Sequence, residues 1–348
     1  MKKFKILTFI FLALFISVNL IGCGNSKQTT AVQDDTSKTL KIVATSADYK
    51  PLFEKFTKET GIKVEFLSMS SGEVISRVKA EGGKPMADVW FGGGIDAFMQ
   101  AKDEGLLEKV DFAAAKDIKS EYKDKDNYWF TKGVTIVGFI VNKDVLKDKN
   151  LPEPKSWKDL TNPIYKGEIL MSNPAISGTN YGVVNGILQT RGEAEGWKYF
   201  EELNKNINYY SKRGGDPSTK TIAGEVAIGI TPADKQLEQL EKEKNVKIVY
   251  PEDGIPWVPE GVAAFKNSQN LKGAKQFVEW IYKDENLKEI AKIDKKDTVK
   301  LVKPNLQGVE LTFPTDNLFK QDVSLFGKNR KDILEKWSKM VGDKNEKN

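Results

Sequence analysis

The sequence predicts an α/β protein of two lobes, joined by two hinge strands, with a ligand cleft between the lobes. Three observations lead there. Three strand–loop–helix units follow one another within about seventy residues near the start of the chain. Two apolar β-rich runs, Val134 to Val141 and "GIPWVPEGVAAF", stand far apart in sequence and read as crossings between lobes. The chain has 348 residues, more than one hydrophobic core usually organises.

The first unit opens with "TLKIVATSA", a β-branched run that ends in small hydroxyl residues. In "DYKPLFEKFTKETG", Leu52, Phe53, Phe56 and Thr60 fall on one helical face before Gly61 stops the helix. The second unit repeats the plan: Ile62, Val64 and Phe66 alternate as a strand. Ser70-Ser71-Gly72-Glu73 then opens a helix with Val74, Ile75 and Val78 on its apolar side. "MADVWFGGGIDAFMQAKDEGLL" is the third, a short apolar strand, three glycines and a helix. Such units build a parallel sheet whose loops gather at the carboxyl ends of the strands, where open sheets bind ligands.

After the first crossing, the prolines of "LPEPKSWKDLTNPIYKGEILMSNP" mark passage into a second lobe, with a helix start at Ser156-Trp157 and a strand Glu168–Met171. Two helices, "GTNYGVVNGILQTRG" and "EAEGWKYFEELNKN", precede strands at Val226–Ile230 and Val246–Tyr250. Helices rich in Lys and Glu run to the end. The expected lobes are residues 40–137 with 258–348, and residues 138–257.

The amino terminus carries Lys2, Lys3 and Lys5 ahead of an apolar run ending in Leu20-Ile21-Gly22-Cys23, which is the pattern of a secretion signal. "LIGC" resembles the lipobox of bacterial lipoproteins, which implies a signal peptide over residues 1–22 and a lipid anchor on Cys23. The polar stretch 23–39 then reads as a flexible tether. Removing the 22 residues ahead of Cys23 leaves 326, and the formal charge falls from +5 to +2 with the three signal lysines. The remaining charges alternate in sign, so a nucleic-acid partner has no support. One cysteine excludes an internal disulfide.

Enzyme chemistry also finds few footholds. The chain has no histidine, which removes Ser-His-Asp and Cys-His arrangements and imidazole metal sites. Gly92, Gly94 and Ala97 match a dinucleotide-binding spacing, but they sit on the third strand and no clear strand follows. No cofactor is expected, and paired-carboxylate hydrolysis is the only catalysis left open.

The ordered pieces "LKIVATSADYKPLFEKFTKETGIKVEF", "SSGEVISRV", "ADVWFGGGIDAF", "YKGEILMSNPAISGTNY", "IAGEVAIGI" and "PEDGIPWVPEGVAAFKNSQN" resemble the extracellular solute-binding proteins of ABC importers. Within them they look most like the branch that carries ferric iron, hexose phosphates and aminoethylphosphonate. The resemblance implies the type II periplasmic-binding fold, capture of a small solute, and delivery to a membrane permease without chemistry. It also implies an extracytoplasmic, membrane-anchored monomer. A sensor or adhesin lipoprotein reusing the fold is the other class of function.

Two kinds of solute need different atoms. Ferric iron wants phenolates and carboxylates, and iron-binding members of the branch carry adjacent tyrosines where this chain reads Thr231-Pro232-Ala233-Asp234. The pair Tyr209-Tyr210 lies elsewhere, on an alternating strand pattern, so no metal site is expected. An organic anion wants free amides at helix starts, hydroxyls and a cation. Ser46, Ser70-Ser71-Gly72, Gly93, Ser177-Gly178-Thr179 and Arg213-Gly214-Gly215-Asp216 supply these on successive loops. Each is equally readable as an ordinary helix cap. Trp257, between two prolines, could stack on a sugar ring while Glu260 or Asp253 takes hydroxyls or an amine. Packing between lobes is the alternative for it. Glu225 and Asp234 are further polar candidates near the cleft.

Overall fold

The computed structural model describes residues 39–233, 240–295, 297–310 and 314–346. The signal, residues 23–38 of the expected tether with Cys23, and Asp234 lie outside them, whereas Thr39, the last residue of that tether, opens the first strand. Among the described residues no helix is long and apolar enough to cross a membrane.

The three strand–loop–helix units form as read. They are β1 (Thr39–Ala44) with α1 (Lys50–Thr60), β2 (Lys63–Ser68) with α2 (Ser71–Ala80), and β3 (Val89–Gly94) with α3 (Ile95–Asp103). Gly61 ends α1 at φ 75°, a left-handed cap that costs glycine little. The Glu73 carboxylate accepts from Ser70 N at 2.7 Å, half of the capping box that starts α2. β1 pairs in parallel with both β2 and β3.

The sheet does not stay parallel. After the short β4 (Leu107–Glu108), β5 (Phe130–Asn142) runs thirteen residues, every one buried. A short α4 (Lys143–Asp148) leads to β6 (Ile169–Ser172), α5 (Gly178–Arg191), α6 (Glu193–Asn206) and β7 (Ile207–Ser211). Then come α7 (Asp216–Ile222), β8 (Ile228–Pro232), β9 (Val246–Val249) and β10 (Trp257–Phe265). The strand order is β2-β1-β3-β10-β5-β8-β6-β7, with β4 on β10 and β9 on β5. β10 lies antiparallel to β3 and to the first half of β5, and the second half of β5 lies antiparallel to β8 and β9. The two predicted crossings are therefore the central pair, flanked on each side by a set of parallel strands.

Two local expectations fail. No α-helix starts at Ser156-Trp157. A single 3-10 turn forms at Asp159–Thr161, because Pro163 two residues on lacks the N–H that would continue a helix. The strand expected from Val226 begins at Ile228.

The carboxyl-terminal helices are α8 (Leu271–Ile281), α9 (Asp284–Ile293), α10 (Val299–Val302), α11 (Ser324–Lys328) and α12 (Arg330–Val341). α12 packs far from β10: Trp337 meets Phe200 of α6 at 5.5 Å and Tyr210 of β7 at 5.1 Å, ring to ring. Its first residue reaches the other way. Arg330 Nε donates to Asp96 of α3 at 2.7 Å, and Nη1 donates to Gln100 at 2.7 Å.

Burial outweighs the Arg330 charge and pushes the Asp96 carboxyl from the ordinary 3.8 up to about 6. The folded state then holds a proton that the unfolded state has lost between about pH 4 and 6. This group's contribution to stability therefore falls as pH rises through that window. We expect the difference in unfolding free energy, wild type minus Asp96→Asn, to decline across it and to be flat above pH 7. Urea denaturation at several pH values reads this directly, and a flat difference throughout would show that Arg330 fully compensates the burial.

Candidate functional site

The loops at the carboxyl ends of β1 and β3 meet the starts of α2 and α5 and the loop after β7 around one cavity of about 550 Å³. The alternation of β10 turns Val258 and Glu260 into it, and Thr135 of β5 and Thr231 of β8 line it beside them. The cavity thus sits where the two sets of parallel strands face each other across the central antiparallel pair.

Most of the expected residues converge there. Ser46, Ser70, Ser71 and Gly93 line one side, and Ser177, Gly178 and Thr179 line another. Arg213, Gly214, Gly215 and Asp216 come from the loop between β7 and α7, and Glu260 comes from β10. Two stand apart. Gly72 lies behind the wall: its N–H donates to Ile176 O at 3.2 Å, and a Cβ there would fall 2.2 Å from Ala175 O. Trp257 points to the opposite face of β10, where its Nε1 donates to Phe319 O at 2.8 Å. Packing, the alternative reading, describes it.

The other polar candidates are engaged elsewhere. Asp253 takes Trp157 N at 2.8 Å and pairs with Arg191 at 3.0 Å. Glu225 pairs with Lys220 at 3.7 Å. Tyr210 is buried against Asn204, and the Tyr209 hydroxyl accepts from Lys220, so neither tyrosine lines the cavity.

The turn before α5 reconciles its two readings. Ser177 Oγ caps the helix by accepting from Asn180 N at 3.3 Å. The Gly178 and Thr179 amides have no acceptor among the described residues, as first-turn amides do not. The capping oxygen and the open amides are different atoms, so the two readings of the turn do not exclude each other. Glycine is required here, because a Cβ on Gly178 would lie 2.6 Å from Gly94 N and one on Gly94 would lie 2.8 Å from the Gly178 Cα. The two helix starts touch backbone to backbone.

A second group of polar atoms was invisible in the sequence. Lys132 of β5 is wholly buried, and its Nζ donates to Glu260 Oε2 at 2.6 Å and to Asp294 Oδ2 at 2.7 Å. Thr135 Oγ1 donates to Glu260 Oε1 at 2.5 Å, and Tyr49 OH donates to Asp294 Oδ1 at 2.5 Å. Burial works against the Lys132 charge, but Asp294 and Glu260 more than offset it and hold its pKa well above the ordinary value. Burial and the Asp294 charge both push the Tyr49 hydroxyl up, so it stays a neutral donor. Two carboxylates and one ammonium therefore meet at the cavity floor. The only hint in the sequence was a lysine inside an apolar strand, a residue almost never fully buried unless paired. Asp294, Asp48 and Tyr49 gave none.

The family model described as bacterial extracellular solute-binding protein matches residues 84–333, well over half of the chain. The chain belongs to this family. A solved relative, the periplasmic binding protein AfuA from Actinobacillus pleuropneumoniae with exogenous fructose-6-phosphate bound, is 29% identical. It superposes with a TM-score of 0.79 over 88% of this chain and 99% of that one. A putative 2-aminoethylphosphonate-binding periplasmic protein of Salmonella typhimurium is 28% identical over 64% of this chain and 66% of its own length. An Fe(3+)-binding periplasmic protein of Serratia marcescens is 25% identical over 67% and 69%. This solute-binding protein has the two-lobe α/β architecture of the type II periplasmic binding proteins. It is the extracytoplasmic solute-binding subunit of an ABC importer, working with a membrane permease.

Removing one partner of a buried ion pair strands the charges that remain. Lys132→Met should therefore destabilise this protein by about 3–5 kcal/mol in urea unfolding at pH 7, and an unchanged unfolding free energy would show that the two carboxylates do not depend on the lysine.

Proposed function

We propose that the cavity captures a small organic anion of the phosphorylated-sugar or phosphonate type, and that closure around it presents the loaded protein to the permease. The observation that carries this is the pair of free amides at Gly178 and Thr179, set in the same cavity as the Arg213 guanidinium and the Ser70, Ser71 and Thr179 hydroxyls. A helix start with its dipole, its open N–H groups and an arginine is a ready anion site. The floor suits the other end of such a solute. Glu260 and Asp294 accept from Lys132, Thr135 and Tyr49, and as carboxylates they can also accept from hydroxyls or an amine. The names of two relatives, one bound to fructose-6-phosphate and one assigned to 2-aminoethylphosphonate, agree with an anion carrying such an end.

Ferric iron is the second reading, favoured by the oxygen ligands of Tyr49, Glu260 and Asp294 and by the iron-binding relative. Against it, Tyr49 is held as a neutral phenol, and no group of three or more acidic or sulfur ligands is arranged for a metal among the described residues. Catalysis has no part in this reading. The lipobox-like sequence supports a lipid anchor at Cys23. In this reading lobe one takes residues 40–137 and most of 258–348 and lobe two takes 138–257, and the contacts of Trp337 with Phe200 and Tyr210 support counting α12 with lobe two.

A thermal-shift series with fructose 6-phosphate, 2-aminoethylphosphonate, spermidine and ferric citrate tests the reading, because a true solute raises the melting point by mass action. Stabilisation by the phosphorylated or phosphonate compounds is expected, and stabilisation by ferric citrate alone would overturn it. For the compound that binds, Thr179→Ala should weaken affinity by about 1–3 kcal/mol, the worth of a hydrogen bond to a charged group. An unchanged dissociation constant in titration calorimetry would remove the Thr179 hydroxyl from the site.

A further inference from the structure

Beyond the two predicted crossings, the chain makes a third connection between the lobes with its carboxyl-terminal segment. Residues 317–321 run beside the entrance to β10. Ile255 N donates to Asn317 O at 2.8 Å, and Phe319 N donates to Ile255 O at 2.9 Å. Side chains fasten this stretch twice: Trp257 Nε1 to Phe319 O at 2.8 Å, and Gln321 Nε2 to Trp257 O at 2.9 Å. Trp257 points away from the face of β10 that carries Val258 and Glu260, so the segment backs the hinge on the side opposite the cavity.

The segment then touches both lobes in turn. Asp322 N donates to Gln189 of α5 at 2.7 Å. α11 lies against α3 so closely that a Cβ on Gly327 would come 2.4 Å from the Met99 Cβ, while Phe326 O accepts from Tyr181 of α5 at 2.7 Å. Arg330 is held on α3 by Asp96 and Gln100, and the next two turns carry Trp337 onto α6 and β7. None of these residues lines the cavity.

We propose that this strap sets the balance between the open and closed cleft. The inference rests on the reading of the protein as a two-lobe binder that closes. Closure is a rotation about the β5–β10 pair, and a rotation that narrows the front of the cleft must displace whatever spans its back. The strap is bonded to α3 on one side and to α5 and α6 on the other, so its contacts belong to the energy difference between the two states. A solute sees that difference as the fraction of protein already competent to bind. Trp257 then acts on affinity from outside the site, as the clasp of the strap.

The test uses no solute, so it stands apart from the identity of the ligand. In the full chain with Cys23→Ser, spin labels on Lys50→Cys and Lys244→Cys, both exposed, report the distance between lobes by pulsed electron paramagnetic resonance. Trp257→Phe keeps an aromatic side chain, though a smaller one, and removes the N–H clasp. It should change the ratio of the two distance populations about twofold to tenfold, the worth of one buried hydrogen bond. Gln321→Leu should change it in the same direction, and serves alone if Trp257→Phe does not fold. Distance distributions that superpose on the parent in either folded variant, with only a lowered melting point, would show a merely structural segment and overturn the proposal.

Discussion

Lys132 carries its charge in the middle of β5, out of reach of water, and the rest of the cleft is arranged around making that tolerable. An ammonium in an apolar interior is stable only with charge partners and a full set of acceptors. Here they come from four places in the chain: Glu260 on β10, Asp294 just past α9, and the rings of Tyr49 before α1 and Phe91 on β3 at 5.0 and 5.5 Å. Thr135 and Tyr49 then occupy the outer carboxylate oxygens. One lysine thereby fixes the spacing of the two hinge strands, the end of α9 and the loop before α1. It also determines that the cavity floor is acidic, because two carboxylates are needed to hold one buried cation.

The opposite wall is built by the absence of side chains. Gly94 and Gly178 let the starts of α3 and α5 approach to backbone contact, and Ser71 Oγ accepts from Gly94 N at 3.3 Å in the same seam. Two helix starts brought together bring two positive dipole ends together, which is unfavourable unless an anion or an acceptor lies between them. The free amides of Gly178 and Thr179 and the exposed Arg213 are consistent with that requirement. The cavity is therefore polar in a directed sense, donor-rich at the helix starts and acceptor-rich at the floor. This arrangement is what the proposal of a solute with unlike ends rests on.

The third connection changes the mechanical picture of the hinge. Two antiparallel strands alone resist bending weakly, whereas a segment tied to β10 by Trp257 and Gln321 and to α3 by Arg330 adds stiffness behind the axis. Buried polar contacts of this kind have discrete arrangements, so they bias a two-state motion instead of damping it smoothly.

By itself the sequence determined the local elements and the loops that matter. Periodicity placed the three opening units, Gly61 and the Ser70–Glu73 box marked helix ends, and the hydroxyl- and glycine-bearing loops pointed to eleven of the residues that line the cavity, with Glu260 from the proline-flanked hinge run as the twelfth. These signals are legible because caps, turns and amphipathic faces are encoded within a few residues of one another. The tertiary structure alone decided which face of β10 meets the cleft, and so sent Trp257 to the back and Glu260 to the front, since strand alternation fixes relative but not absolute orientation. It alone joined Lys132 to Asp294 across 162 residues and laid the carboxyl-terminal segment over the hinge. Such pairings arise from burial, which forces every charge to find a partner wherever the chain brings one, and sequence separation carries no trace of that choice.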